Sequence, residues 1–155
     1  MTKWLAYILL FAIAGFCREY LFVNYNRMLY YVYYPQIERQ ELPAFLTLFD
    51  GFTYAQLYYL KYPFTLAWTA FFFLLSHYAI KHLGHTSYLL KILRWTYVAL
   101  LAIAMLSMVF GWLVNNRLDQ DEYTLSRWLM GIAQSPIICL FLLASEKLIP
   151  KQHSI

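Results

Sequence analysis

The chain has 155 residues, of which 62% are hydrophobic and 13% charged, with a formal charge of +4 and a mean hydropathy of +0.50. Soluble domains carry about 25% charged residues, and a soluble chain this short has too much surface to hide so much apolar side chain. An all-α integral membrane protein is predicted, and a soluble enzyme or binding module is excluded. The basic residues flank apolar runs, as membrane anchors do, and form no tract for nucleic acid.

Four spans of about 20 residues are predicted at about 4–23, 63–80, 93–114 and 123–145. They form a four-helix bundle, a single polytopic membrane domain over residues 1–155. The opening "MTKWLAYILLFAIA" has the outline of a secretory leader, with Ala12-Ile13-Ala14 at the cleavage position. It is read as a retained first span. Cys17 follows Phe16 and not the small residue that a lipidated cysteine needs.

Span one contains Arg18 and Glu19. Adjacent helical residues differ by about 100° and do not face each other. Glu19 shares a stripe with Ala12, Gly15 and Asn26, small and polar, which is expected to face the bundle. Arg18 shares one with Phe11, Ala14, Phe22 and Tyr25, and is expected to snorkel outward to headgroups. Glu19 lies roughly 7 Å below the outer edge, and Arg127 of span four about 6 Å. The two are predicted to pair, with Asn26 or Gln134 as hydrogen-bond neighbours.

Residues 24–62 separate spans one and two and hold nine of the 15 tyrosines. The helical pattern of span one meets no breaker until Pro35. "LPAFLTLF" and "TYAQLYYLKY" read as two short interfacial helices joined at Asp50-Gly51, and Pro63 as the first turn of span two. Tyrosine favours headgroup depth, which makes this an aromatic belt. Tyr30, Tyr31, Tyr33, Tyr34, Tyr58 and Tyr59 are the candidate docking face for a partner protein.

In span four, Pro136 is expected to kink the helix. The pairs Ser107/Gly111 and Gly131/Ser135 have the spacing that lets helices approach closely. The acidic run at 119–123 opens this span, where carboxylates complement the helix dipole.

Orientation follows from the flanking charges. One side holds Lys3, Lys81, Lys91, Arg94, Lys147 and Lys151; the other holds Arg27, Arg39, Lys61, Arg117 and Arg127, with Glu38, Glu41, Asp50, Asp119, Asp121 and Glu122. The lysine bias places both termini in the cytoplasm.

No catalytic constellation assembles from these residues. His77, His82 and His85 cluster at the inner end of span two without an acidic or thiol partner, so no metal or haem is predicted. Cys17 and Cys139 sit about 14 Å apart in depth, too far for a disulfide. In hydropathy and length the chain resembles small four-span proteins of the bacterial inner membrane, with no motif that transfers an activity. The expected function is a non-catalytic membrane subunit or assembly and scaffold factor. It would bind the lipid bilayer and other membrane subunits and need no cofactor. The alternative is a small enzyme or carrier that takes a lipid- or quinone-like molecule into a pocket under residues 24–62, with Arg18 or Arg127 on its anionic group.

Overall fold

The computed structural model describes residues 2–37, 41–84, 87–115 and 124–148. Glu38, Arg39, His85, Arg117, Asp119, Asp121, Glu122 and Lys151 lie outside the described residues. Those described are helical or irregular, with no strand. In chain order the helices are α1 (Thr2–Tyr33), a 3₁₀ segment (Ala44–Phe49), α2 (Tyr54–Leu83), α3 (Tyr88–Asn115), α4 (Thr124–Ala133) and α5 (Ile137–Leu148).

Among the described residues, α1, α2 and α3 are long and apolar enough to cross a membrane. The pair α4 and α5, inclined at 59°, counts as a fourth crossing if it is one span. At 1.5 Å per residue α1 is about 48 Å long, well beyond the ~30 Å hydrocarbon core. Its end is set by Pro35, which disfavours helical backbone in the residue before it. The bent pair would rise only about 28 Å if each half tilted equally, barely a full crossing.

Two compact units divide the chain, residues 12–68 and residues 1–11 with 69–155. In the first, Tyr25, Met28 and Leu29 of α1 pack with Leu46 of the 3₁₀ segment and Leu57 of α2. The Tyr25 hydroxyl donates to the Leu57 carbonyl at 2.6 Å, which satisfies the polar tip of a buried ring. Gly51 turns the chain with φ +93°, a left-handed conformation that disfavours side chains. Thr53 then caps α2. Its N–H donates to Gln56 Oε1 at 2.9 Å, and the Gln56 N–H donates back to Thr53 Oγ1 at 3.4 Å. This is a reciprocal capping box.

That cap corrects the predicted boundary. "TYAQLYYLKY" is no separate interfacial helix but the opening turns of α2, and Pro63 lies in the interior of that helix. The cap satisfies two orphan donors at Thr53, so the helix begins there. Pro63 then withholds only the one hydrogen bond that the Tyr59 carbonyl would accept. "AFLTLF" forms a 3₁₀ helix.

In the unit of residues 1–11 and 69–155, α3 packs along α4 and α5. Phe72, Ile80, Leu93, Ala133 and Cys139 are fully buried there. At the end of α2, Gly84 donates to the Ile80 carbonyl at 2.8 Å. A Cβ on Gly84 would sit 2.7 Å from that same oxygen, so the tight exit requires glycine. Gly131 differs from expectation: among the described residues nothing lies within 4 Å of its would-be Cβ, so none of the described helices approaches closely there. The surroundings of Gly111 lie outside the described residues.

Candidate functional site

The two faces of α1 are the reverse of the predicted ones. Ala14 and Tyr25 are buried, with Arg18 and Phe22 half-buried between them; Ala12, Glu19 and Asn26 are exposed. The small, polar stripe therefore points away from this chain's own core. The bulkier stripe supplies the side-chain packing and the Tyr25–Leu57 hydrogen bond that hold α1 in its unit, the interactions that drive helix association where lipid gives no hydrophobic force.

Arg18 and Glu19 also pair with each other, against the sequence reading, with Nη1 and Oε2 3.3 Å apart. Their Cβ atoms diverge, but the guanidinium rides on a long stem that swings round the helix. The Arg18 guanidinium stacks over the Phe22 ring, 5.5 Å from its centroid, a cation–π contact that holds it half-buried. Side-chain exposure is 27% for Arg18 and 66% for Glu19, so the carboxylate is the outward member. Arg127 lies exposed on α4. It belongs to the other unit, so the predicted Glu19–Arg127 pair would join residues of two units. Asn26 accepts from Lys61 Nζ at 2.8 Å. Gln134 donates to Thr69 Oγ1 at 3.0 Å.

Above this pair the tyrosines interlock. Ring centroids are 5.0 Å apart for Tyr30 and Tyr34, 4.6 Å for Tyr33 and Tyr34, and 5.0 Å for Tyr33 and Tyr54. Tyr54, Tyr58 and Tyr59 continue the series at 6.0 Å each. Tyr30, Tyr33, Tyr34 and Tyr59 are exposed, Tyr58 is half-buried, and Tyr31 is turned into the core.

Beneath the 3₁₀ segment is an apolar cleft of about 50 Å³, walled by five rings (Phe22, Tyr25, Phe45, Phe49 and Phe64) with Leu21 and Leu46. That is about a sixth of the ~300 Å³ at which drug-sized ligand sites begin. It seats one side chain or a short run of methylenes.

The other unit keeps its polar groups inside. Tyr97 donates to the Ala133 carbonyl at 3.0 Å, beside the α4–α5 break. The Cys139 thiol points at the Ser76 carbonyl at 4.0 Å. The Ser76 hydroxyl is buried and has no hydrogen-bond partner among the described residues. At the opposite end the Tyr7 hydroxyl meets His82 Nδ1 at 2.5 Å. Among the described residues no three of His, Cys, Asp and Glu come together.

Sequence reasoning missed Thr69, Ser76 and Tyr97. Each is a single polar group in an apolar run, a pattern too common to single out. Lys61 was counted as a flanking charge, and its bond to Asn26 was invisible without the path of the chain.

Comparison with family models, with curated proteins and with solved structures finds no match to this chain.

Proposed function

We propose that this chain is a small, non-catalytic integral membrane subunit or assembly factor of a larger membrane protein complex. It would sit as a four-helix bundle in a bacterial inner membrane, with α4 and α5 as one bent span and both termini cytoplasmic. The tyrosine cluster, at the outer surface, would be the docking face.

That cluster carries the reading. Tyrosine offers large contact area with few rotamers to freeze, which is why it dominates binding surfaces. Here the exposed rings of Tyr30, Tyr33, Tyr34 and Tyr59 are braced by ring contacts with their neighbours and stand on a core of their own. A plain aromatic belt needs no such bracing. The cleft under the 3₁₀ segment favours the second reading, a carrier or enzyme for a lipid- or quinone-like molecule, and its small volume counts against it.

Purification from native membranes in mild detergent tests the proposal. A second polypeptide should co-purify in fixed ratio. It should be lost when Tyr33, Tyr34 and Tyr59 are changed together to Ala, with the helical circular dichroism kept. Recovery of this chain alone, or a complex indifferent to the triple change, refutes it.

A further inference from the structure

One end of the unit of residues 1–11 and 69–155 gathers four helix ends. The Tyr7 hydroxyl of α1 donates to the Tyr78 carbonyl of α2 at 3.3 Å and also meets His82 Nδ1. At Gly84, where α2 ends, Leu89 of α3 and Glu146 of α5 stand within 3.5 Å of a would-be Cβ. Lys3, Lys81, His82, Lys91 and Arg94 are all exposed on these helix ends.

Among the described residues, Lys3, Lys81, Lys91 and Arg94 have no ion pair or hydrogen bond. Glu146, half-buried, is the one acid described in this unit. In the unit of residues 12–68, by contrast, Arg18 is held by Glu19 and Lys61 by Asn26. Nor do the helices account for the charge. A cation in the last turn complements the helix dipole, as Lys81 does in α2. Lys3 and Lys91 stand in the first turns of α1 and α3, where the dipole opposes them.

The neighbours of these cations set their depth. Each has an aromatic residue directly after it or three residues before it: Trp4, Tyr78, Tyr88 and Trp95. Tyr78, Tyr88 and Trp95 are exposed. Tryptophan and tyrosine settle at headgroup level in a membrane, which sets the cations among lipid phosphates and not in bulk water.

We propose that this rim is a binding surface for the headgroups of anionic phospholipids. Lys3 lies one turn from Tyr7, and Tyr7 holds His82 through Nδ1, leaving Nε2 for a phosphate oxygen; the two bracket the groove between α1 and α2. Lys91 and Arg94, three residues apart, share one face of α3. Basic pockets between helices at the membrane surface take such headgroups. The proposal rests on the chain spanning a membrane and is independent of the direction of insertion and of the accessory-subunit reading.

Lipid titration of the purified full chain in mild detergent tests it, with native mass spectrometry reading the affinity of the first lipid bound. Each lysine or arginine near an anionic headgroup is worth about fivefold. Phosphatidylglycerol should therefore bind about 5- to 25-fold tighter than phosphatidylcholine, for one or two cations at its phosphate. Changing Lys3, Lys81, Lys91 and Arg94 together to Gln should bring the two lipids level, with the helical circular dichroism kept. Lys3→Arg, Lys81→Arg, Lys91→Arg and Arg94→Lys, made together, should keep the preference. Arg27→Gln, which removes an exposed cation of the other unit, should leave it unchanged. Equal affinities in the unaltered chain overturn the proposal. So does a preference that survives the fourfold change to Gln, or one that falls as much with Arg27→Gln. Loss of a co-purifying polypeptide on the fourfold change, with the two lipids level in the unaltered chain, also overturns it, while supporting the accessory-subunit reading. Recovery of this chain alone with the phosphatidylglycerol preference intact separates the two the other way.

Discussion

Leu57→Ala tests whether the unit of residues 12–68 holds together on its own core. Leu57 is fully buried against Tyr25, Met28, Leu29 and Leu46. Leucine-to-alanine changes in well-packed cores cost about 2.7 to 5.0 kcal/mol, more where the site cannot collapse. Here Leu46, Phe45 and Phe49 belong to the same layer and border a cleft of about 50 Å³, so they have room to shift. The low end applies, about 3 kcal/mol, or roughly 150-fold in a local opening equilibrium at 1.36 kcal/mol per decade. Hydrogen exchange followed by mass spectrometry on the full chain in detergent reads this directly. Peptides covering residues 44–57 should exchange about 150-fold faster, or at the free-amide rate if that is reached first. Alkylation of Cys139, which is buried in the other unit, should stay slow. Unchanged exchange over 44–57 would show that this cluster does not hold the 3₁₀ segment. Parallel exposure of Cys139 would show that the units do not open separately.

Three further outcomes follow from the same geometry. Thr53→Ala removes one side of the capping box and should cost about 1 kcal/mol, seen as faster exchange of the amides of residues 54–58. Tyr97→Phe leaves the Ala133 carbonyl without the tyrosine donor. At about 1–3 kcal/mol, the melting temperature should fall by roughly 2–10 °C and Cys139 should alkylate faster. Pro136→Ala supplies a backbone donor at the α4–α5 break. If it straightens the 59° bend, spin labels at Leu125 and Leu148 should move apart by about 4 Å.

The long apolar helices were legible because length and composition alone define a membrane-crossing segment. Boundaries were harder. Pro63 reads as a helix start by the usual preference, yet "TYAQ" at 53–56 carries a capping box, and the box decides where α2 begins. The Arg18–Glu19 bond was missed because spacing rules describe where Cβ atoms point, not how far a guanidinium reaches. Lys61–Asn26 and Thr69–Gln134 pair residues 35 and 65 apart in sequence, beyond any periodicity argument.

The reversal of α1 is the most informative miss. The rule that polar residues of a membrane helix need a polar partner remains sound; the error lay in assuming that the partner must be buried in the bundle. Inside the unit of residues 1–11 and 69–155, Gln134 is met by Thr69 and Tyr97 by the Ala133 carbonyl. Glu19 and Asn26, which α1 presents outward beside apolar neighbours, are met from their own unit as well, by Arg18 and by Lys61. In water, an exposed apolar stripe marks an interface. In a bilayer the solvent is apolar, so the sign inverts and an exposed polar stripe becomes the mark. By that criterion the outward face of α1 carries no mark of its own, since Arg18 and Lys61 already answer its polar groups, and the proposed docking face rests on the braced tyrosines, whose amphipathic rings suit headgroup depth.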